Sequence, residues 1–264
     1  LHTYDIFVYV IRERQEGMHM NDNCTVILPT YDEEANIGKM IDCLRKLYPD
    51  FHIIVMDDNS TDSTKQIVED IMKKDEKVRI ITRDVNDRGL SASIFQGIME
   101  TNTEFFINMD SDFQHPLSAL KGIYEKLEKG SDLVVGVRRD RTALSSFSRW
   151  VGSWAAHMLA VFTLKMHGKK TTKDVMSGLF GGKTELFQNV IREFHSNFEM
   201  RGFKALFDLM KYAPDHIDIS EEMFEFGERQ GGKSKISTNI VFSILRQCDG
   251  WGRFLARLGS KLKS

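Results

Sequence analysis

The chain is poor in cysteine: only Cys24, Cys43 and Cys248 occur in 264 residues, with no paired spacing. That excludes a disulfide scaffold and a zinc site of the usual spacing, and it points to a reducing compartment. Proline is scarce as well, 4 against 19 glycines, so neither a collagen-like nor a Pro-rich disordered composition applies. No uncharged apolar run approaches 20 residues and the mean hydropathy is -0.32, which rules out a polytopic membrane protein. Net charge is nearly absent at -2, but its distribution is lopsided. Residues 229–264 carry +7 and the preceding 228 residues carry -9, a basic tail on an acidic body that suits contact with phosphates or an anionic surface.

What is present is ordinary globular composition, 41% hydrophobic and 28% charged, in a chain long enough for one large domain. Residues 1–19 contain only a short apolar run, Ile6 to Ile11, and read as an extension ahead of a domain starting near Met20. From there, Val- and Ile-rich runs predict strands at 25–29, 52–56, 78–82, 104–109 and 132–137. Between the first two, Ile37, Met40, Ile41, Leu44 and Leu47 fall on one helical face, with Asp32 as the expected N-cap. Ile67, Val68 and Ile71 mark the next helix. Strand and helix alternating at this spacing predict a doubly wound, mostly parallel sheet, in which ligands bind beyond the carboxyl ends of the strands. After Arg138 the alternation fades: Trp150–Leu164 predicts a buried helix, 183–194 and 202–212 further helices, and 217–226 a strand. The domain is expected to end near residue 236. From 237 to 264 a final helix places Ile240, Ile244, Leu255 and Leu262 opposite Arg246, Arg253, Arg257 and Lys261, a pattern that suits either a membrane interface or packing on its own domain.

Two acidic clusters stand where strands should end, Asp57-Asp58 and Asp110-Ser111-Asp112-Phe113-Gln114. In an extended stretch Asp110, Asp112 and Gln114 would point the same way and offer three oxygens to a hard cation such as Mg2+ or Mn2+. Three rival patterns compete. Asp58-x-Ser60-x-Asp62 lacks the turn glycine of a calcium loop, and Ser177 to Thr184 misses the phosphate-loop pattern at its first position. Gly227 to Ser234 fits GxxxxGK[ST] in full and admits a nucleotide hydrolase as the alternative class, but only about 30 residues follow it, too few for further parallel strands.

In combination, Pro29-x-Tyr31-x-Glu33-x-x-Asn36, Asp57-Asp58-x-Ser60-x-Asp62-x-Thr64, Asp110-x-Asp112-x-Gln114-His115-Pro116, Ser148-Arg149, Ser177-Gly178 and Phe226-x-x-Arg229-x-x-Gly232-x-Ser234-Lys235 resemble the dolichol-phosphate mannose synthases, inverting nucleotide-sugar glycosyltransferases of the GT-A fold. The resemblance implies transfer of a hexose, mannose from GDP-mannose in that family, to a polyprenyl monophosphate. UDP-sugar donors of glucose or N-acetylhexosamine are the alternative. By position, Pro29, Tyr31, Glu33, Met56 and Asp58 resemble the nucleotide pocket, and Asp110, Ser111, Asp112 and Gln114 the diphosphate site, with Asp110, Asp112 and Gln114 as metal ligands. Arg138, Arg149 and Ser153 resemble the lipid-phosphate groups, while Arg138, Arg229 and Lys235 face the donor. The catalytic set implied is Asp112, Arg138, Arg149, Arg229 and Lys235. Two departures stand out: Asn59 where many relatives have glycine, and Leu90-Ser91-Ala92 after Gly89 in place of a Gly-rich run. The partners implied are a nucleotide sugar, a polyprenyl phosphate and, as a docking partner, a small membrane subunit; nucleic acid is not among them. The place implied is the cytoplasmic face of a membrane, held peripherally.

Overall fold

The computed structural model describes residues 21–139, 147–200, 202, 204–225 and 227. Seven strands form one sheet: β1 (Cys24–Thr30), β2 (His52–Asp57), β3 (Val78–Thr82), β4 (Phe105–Asn108), β5 (Leu133–Arg138), β6 (Phe180–Lys183) and β7 (Ile219–Phe224), in the order β3-β2-β1-β4-β6-β5-β7. Parallel pairing joins β1 to β2 and β4, β2 to β3, and β5 to β7. Strand β6 runs antiparallel to both β4 and β5. Two reversals cancel, so the other six strands all present their carboxyl ends at one edge. The chain order reverses between β2 and β4 on either side of β1, the switch point at which such sheets bind ligands.

Among the described residues seven helices cover the sheet: α1 (Ile37–Leu47), α2 (Thr64–Met72), α3 (Leu90–Met99), α4 (Ala119–Glu128), α5 (Phe147–Met166), α6 (Thr184–Phe194) and α7 (Ala205–Tyr212). Strand pleating sorts the core by parity. Val26, Leu28, Ile53, Val55, Phe105 and Ile107 pack against α1, α2 and α4, whereas Ile27, Ile54, Met56 and Phe106 pack against α3, α5, α6 and α7. Helices on both faces explain why the strands read as continuous apolar runs instead of alternating ones.

Two expectations change. Helix α1 starts at Ile37, and its N-cap position is held by Asn36, not Asp32, because Asp32 sits at φ 51 and directs its carboxylate to the Thr61 N–H at 2.7 Å. Helix α5 is not a buried helix throughout: Ala160 and Leu164 are buried, while Met158, Phe162 and Met166, one turn apart, are 47%, 58% and 67% exposed. No helix among the described residues is long and apolar enough to cross a membrane. The near-miss phosphate loop at Ser177–Thr184 is β6 and its approach. A Cβ on Gly181 would lie 2.8 Å from the Phe106 carbonyl oxygen, so glycine here serves close strand packing. Residues 1–19 and the predicted helix 237–264 lie outside the described residues.

Candidate active site

The carboxyl edge is built from loops that leave the helical and extended regions at three non-glycine positions, one after each of three strands: Asp32 (φ 51), Asn59 (φ 60) and Phe113 (φ 63). Left-handed backbone outside glycine is uncommon, and its concentration at one edge marks a functional site. Asn59 thereby accounts for one sequence departure, since Asn is the side chain that best takes over a left-handed glycine position.

The β1 and β2 loops are laced together. The Asp32, Glu33 and Glu34 N–H groups donate to Ser60 Oγ, Thr64 Oγ1 and Asp62 Oδ2 at 2.9, 2.8 and 3.0 Å, and the Ser63 N–H donates to Glu34 Oε2 at 3.0 Å. The acidic stretch 58–62 is therefore occupied with backbone donors and is no calcium loop. Burial pushes the Asp62 carboxyl up, but hydrogen bonds from the Thr64 hydroxyl and the Thr64 and Glu34 N–H groups outweigh it and hold the carboxyl below the usual range.

Around Asp58 the sequence reading missed a network. Arg83, 8% exposed after β3, donates to Asp58 Oδ1 at 2.6 Å and to Gln96 at 2.9 Å, and the Gly89 N–H donates to Asp58 Oδ2 at 2.8 Å. Ser93 adds a third donor at 3.2 Å. Asp58 thus fixes the start of α3 as a wall of the crevice. Across it, the Arg88 guanidinium lies 4.8 Å above the Tyr31 ring centroid and donates to the Asn59 carbonyl at 2.7 Å. Met56 is wholly buried in the core, so only its main chain reaches this edge, and Pro29 is likewise buried within β1.

After β4 the chain bends. Phe113 in the left-handed region prevents the extended Asp110–Gln114 arrangement expected from sequence, and the Asp112 carboxylate, on a residue 4% exposed, accepts the Gln114 N–H at 3.0 Å. The Asp110 side chain is 40% exposed at the crevice. Its neighbour His115 is buried, accepts the Asp110 N–H at Nδ1 (3.3 Å), and is held below the usual histidine range by burial, against the pull of Asp110 and Asp112. Among the described residues no three His, Cys, Asp or Glu side chains converge as a ready metal cage. Two carboxylates and an amide, all oxygen donors, instead suit a hard cation whose remaining positions are filled by phosphates.

Arg138 closes β5, its Nε 4.0 Å from Oδ2 of Asp174, a residue 5% exposed. Arg149 and Ser153 lie one turn apart on the backbone of α5. Arg229, Lys235 and the rest of the phosphate-loop pattern fall outside the described residues, except Gly227, whose N–H donates to the Gln114 carbonyl at 2.9 Å. That bond sets the start of the Gly227–Ser234 segment on the Asp110–Gln114 loop. Its preceding strand, β7, is the sheet's edge and lies away from the switch point, unlike the strand feeding a phosphate loop in a hydrolase.

A central parallel block, a switch point lined by acidic loops and one inserted antiparallel strand define a GT-A-like glycosyltransferase fold, shared with glucosyl-3-phosphoglycerate synthase from Mycobacterium tuberculosis solved with Mn2+, UDP-glucose and phosphoglyceric acid (TM-score 0.55, 18% identity, 91% of this chain and 83% of that one). The sequence matches glycosyl transferase family 2 over residues 25–191. It is 31% identical to the dolichol-phosphate mannosyltransferase of Mycosarcoma maydis over 85% of this chain and 77% of that protein, and 30% identical to that of Saccharomyces cerevisiae over 86% of each. The chain belongs to glycosyl transferase family 2 and is a glycosyltransferase.

Proposed function

We propose that the protein transfers mannose from GDP-mannose to a polyprenyl monophosphate of the dolichyl type, with inversion at the anomeric carbon, on the cytoplasmic face of a membrane. The observation that carries this reading is the meeting of Asp110 and Asp112, after β4, with Arg138, at the end of β5, around the buried His115 at one edge of the sheet. The named mannosyltransferase relatives supply the substrate class.

The chemistry fits the residues. A phosphate monoester is already anionic near neutral pH, so its oxygen can attack the anomeric carbon as the bond to the nucleoside diphosphate breaks, and no general base is needed. His115, buried with its Nδ1 accepting the Asp110 N–H, is a structural partner of the Asp110 loop. Asp110, Asp112 and Gln114 would hold Mg2+ or Mn2+. Such an ion supplies charge neutralisation for the departing diphosphate. Arg138 orients the attacking phosphate, with Arg149 and Ser153 from α5 as further contacts, and Arg229 and Lys235 face the donor.

Initial rates with dolichyl phosphate against GDP-mannose, UDP-glucose and UDP-N-acetylglucosamine test the donor; efficient use of either UDP-sugar and none of GDP-mannose overturns the assignment. Arg229→Ala is expected to cripple transfer and Lys233→Ala to be mild. GTP hydrolysis lost with Lys233 would instead favour the hydrolase.

A further inference from the structure

Arg83 follows β3 and has no place in the motifs read from the sequence. Its side chain is 6% exposed and closed to substrate, whereas that of Asp58, its partner at 2.6 Å, is 14% exposed at the carboxyl edge. The Asp58 N–H donates to the Thr30 carbonyl at 2.8 Å, which sets the residue at the end of the β1–β2 ladder, on the β2 side of the switch point; Asp110 and Asp112 lie on the β4 side. A carboxylate has about four acceptor positions. On Oδ1 two are filled, by Arg83 Nη1 at 2.6 Å and by the Ser93 hydroxyl at 3.2 Å, and on Oδ2 one is filled, by the Gly89 N–H at 2.8 Å.

The position left on Oδ2 belongs to a carboxylate whose charge a guanidinium already balances. It suits a neutral N–H or O–H donor rather than a cation, and at the end of the crevice away from Asp110 and Asp112 a nucleotide sugar presents such donors on its base and ribose. Arg83 also grips α3, donating from Nε to Gln96 Oε1 at 2.9 Å and from Nη1 to Ser93 Oγ at 3.2 Å, so the end of β3, the β2 loop and the helix meet on one guanidinium. We propose that Arg83 is a positioning residue for the donor: it fixes the rotamer of Asp58 and balances its charge, so that one oxygen of that carboxylate accepts a single neutral donor of the nucleoside. The inference rests on the nucleotide-sugar reading above.

The test is a double-mutant cycle on the full chain, Arg83→Gln, Asp58→Asn and the two together, with Gln96→Ala as the control that breaks the tie to α3 and spares the ion pair. Thermal unfolding sets a temperature at which the variants are native, and Arg83→Lys takes the place of Arg83→Gln in the cycle if the latter does not fold. Calorimetry then gives affinities for GDP, guanosine and inorganic pyrophosphate. Arg83→Gln is expected to weaken GDP and guanosine alike, on the order of tenfold, to leave pyrophosphate unchanged, and to raise KM for the donor with kcat close to wild type. In the Asp58→Asn background the same change is expected to add nothing, and Gln96→Ala to bind GDP as the wild type does. Wild-type GDP affinity in Arg83→Gln, an undiminished effect in the Asp58→Asn background, or an equal loss in Gln96→Ala overturns the proposal, because Arg83 would then only staple β3 to α3. A loss confined to pyrophosphate, or to GDP-mannose and absent from GDP, overturns the nucleoside assignment. Use of a UDP-sugar in place of GDP-mannose changes the donor assigned above, and Arg83 is then judged by the same cycle with UDP and uridine; a wild type that binds neither GDP nor UDP overturns the proposal.

Discussion

Asp112 and Asp62 illustrate two uses of a carboxylate within one sheet edge. Asp112 is nearly inaccessible and braces its own loop through the Gln114 N–H. Asp112→Ala therefore removes the brace together with the oxygen that the proposed function assigns to the donor site. The expected loss is about 2.7–4 kcal/mol of transition-state stabilisation, by analogy with deleting one charge-stabilising group, read as kcat/KM with saturating metal. Asp62 works through folding. Its carboxyl is held below its unfolded value, so the stabilisation is present above the ordinary aspartate range and is lost as pH falls through the folded-state value. Asp62→Asn should lower the unfolding temperature at neutral pH, and the gap from wild type should close in strong acid. A gap that persists unchanged at low pH would mean that the carboxylate's charge is irrelevant there.

At the scale of elements, the most sensitive piece is one of the two shortest strands. Strand β6 has four residues, and Gly181 in it faces the Phe106 carbonyl oxygen and Ile123 at distances that leave no room for a methyl group. Gly181→Ala should cost about 1–3 kcal/mol, measured by urea unfolding, and loosen the join between β4 and β5. This element was also the least legible in the sequence, since Phe180-Gly181-Gly182-Lys183 has none of the Val and Ile density that revealed β1 to β5, and its glycines resemble a loop. The parallel core was legible because burial on both faces forces continuous apolar runs. Within the site, Asp110 and Asp112 could be found from motif spacing and Arg138 from the family resemblance, while Asn59 showed only as a departure from the family's glycine. Arg83, Arg88 and Asp174 could not be found, because each acquires its partner only through strands far apart in sequence.

The molecule as a whole combines a crevice lined by acidic loops with a strongly basic end, +7 over residues 229–264. Binding to anionic vesicles should weaken as salt rises without vanishing, each basic residue near the surface contributing about 1 kcal/mol and the apolar side chains among residues 240–262 adding their own burial. Sedimentation with and without residues 240–264 measures both parts; vesicle binding and lipid turnover that survive the deletion would leave that segment no membrane role. The antiparallel strand has a further consequence, in the order of assembly. Strand β5 reaches the rest of the sheet only through β6, yet β6 lies more than 40 residues later in the chain. On the ribosome, β1 to β4 can therefore close into a four-stranded sheet with their own helices while β5 waits without a neighbour. Strand β7, pairing with β5 across some 86 residues of sequence, comes later still. The acidic side of the crevice, with Asp58, Asp110 and Asp112, is thus in place in the growing chain before Arg138 has an edge on which to settle.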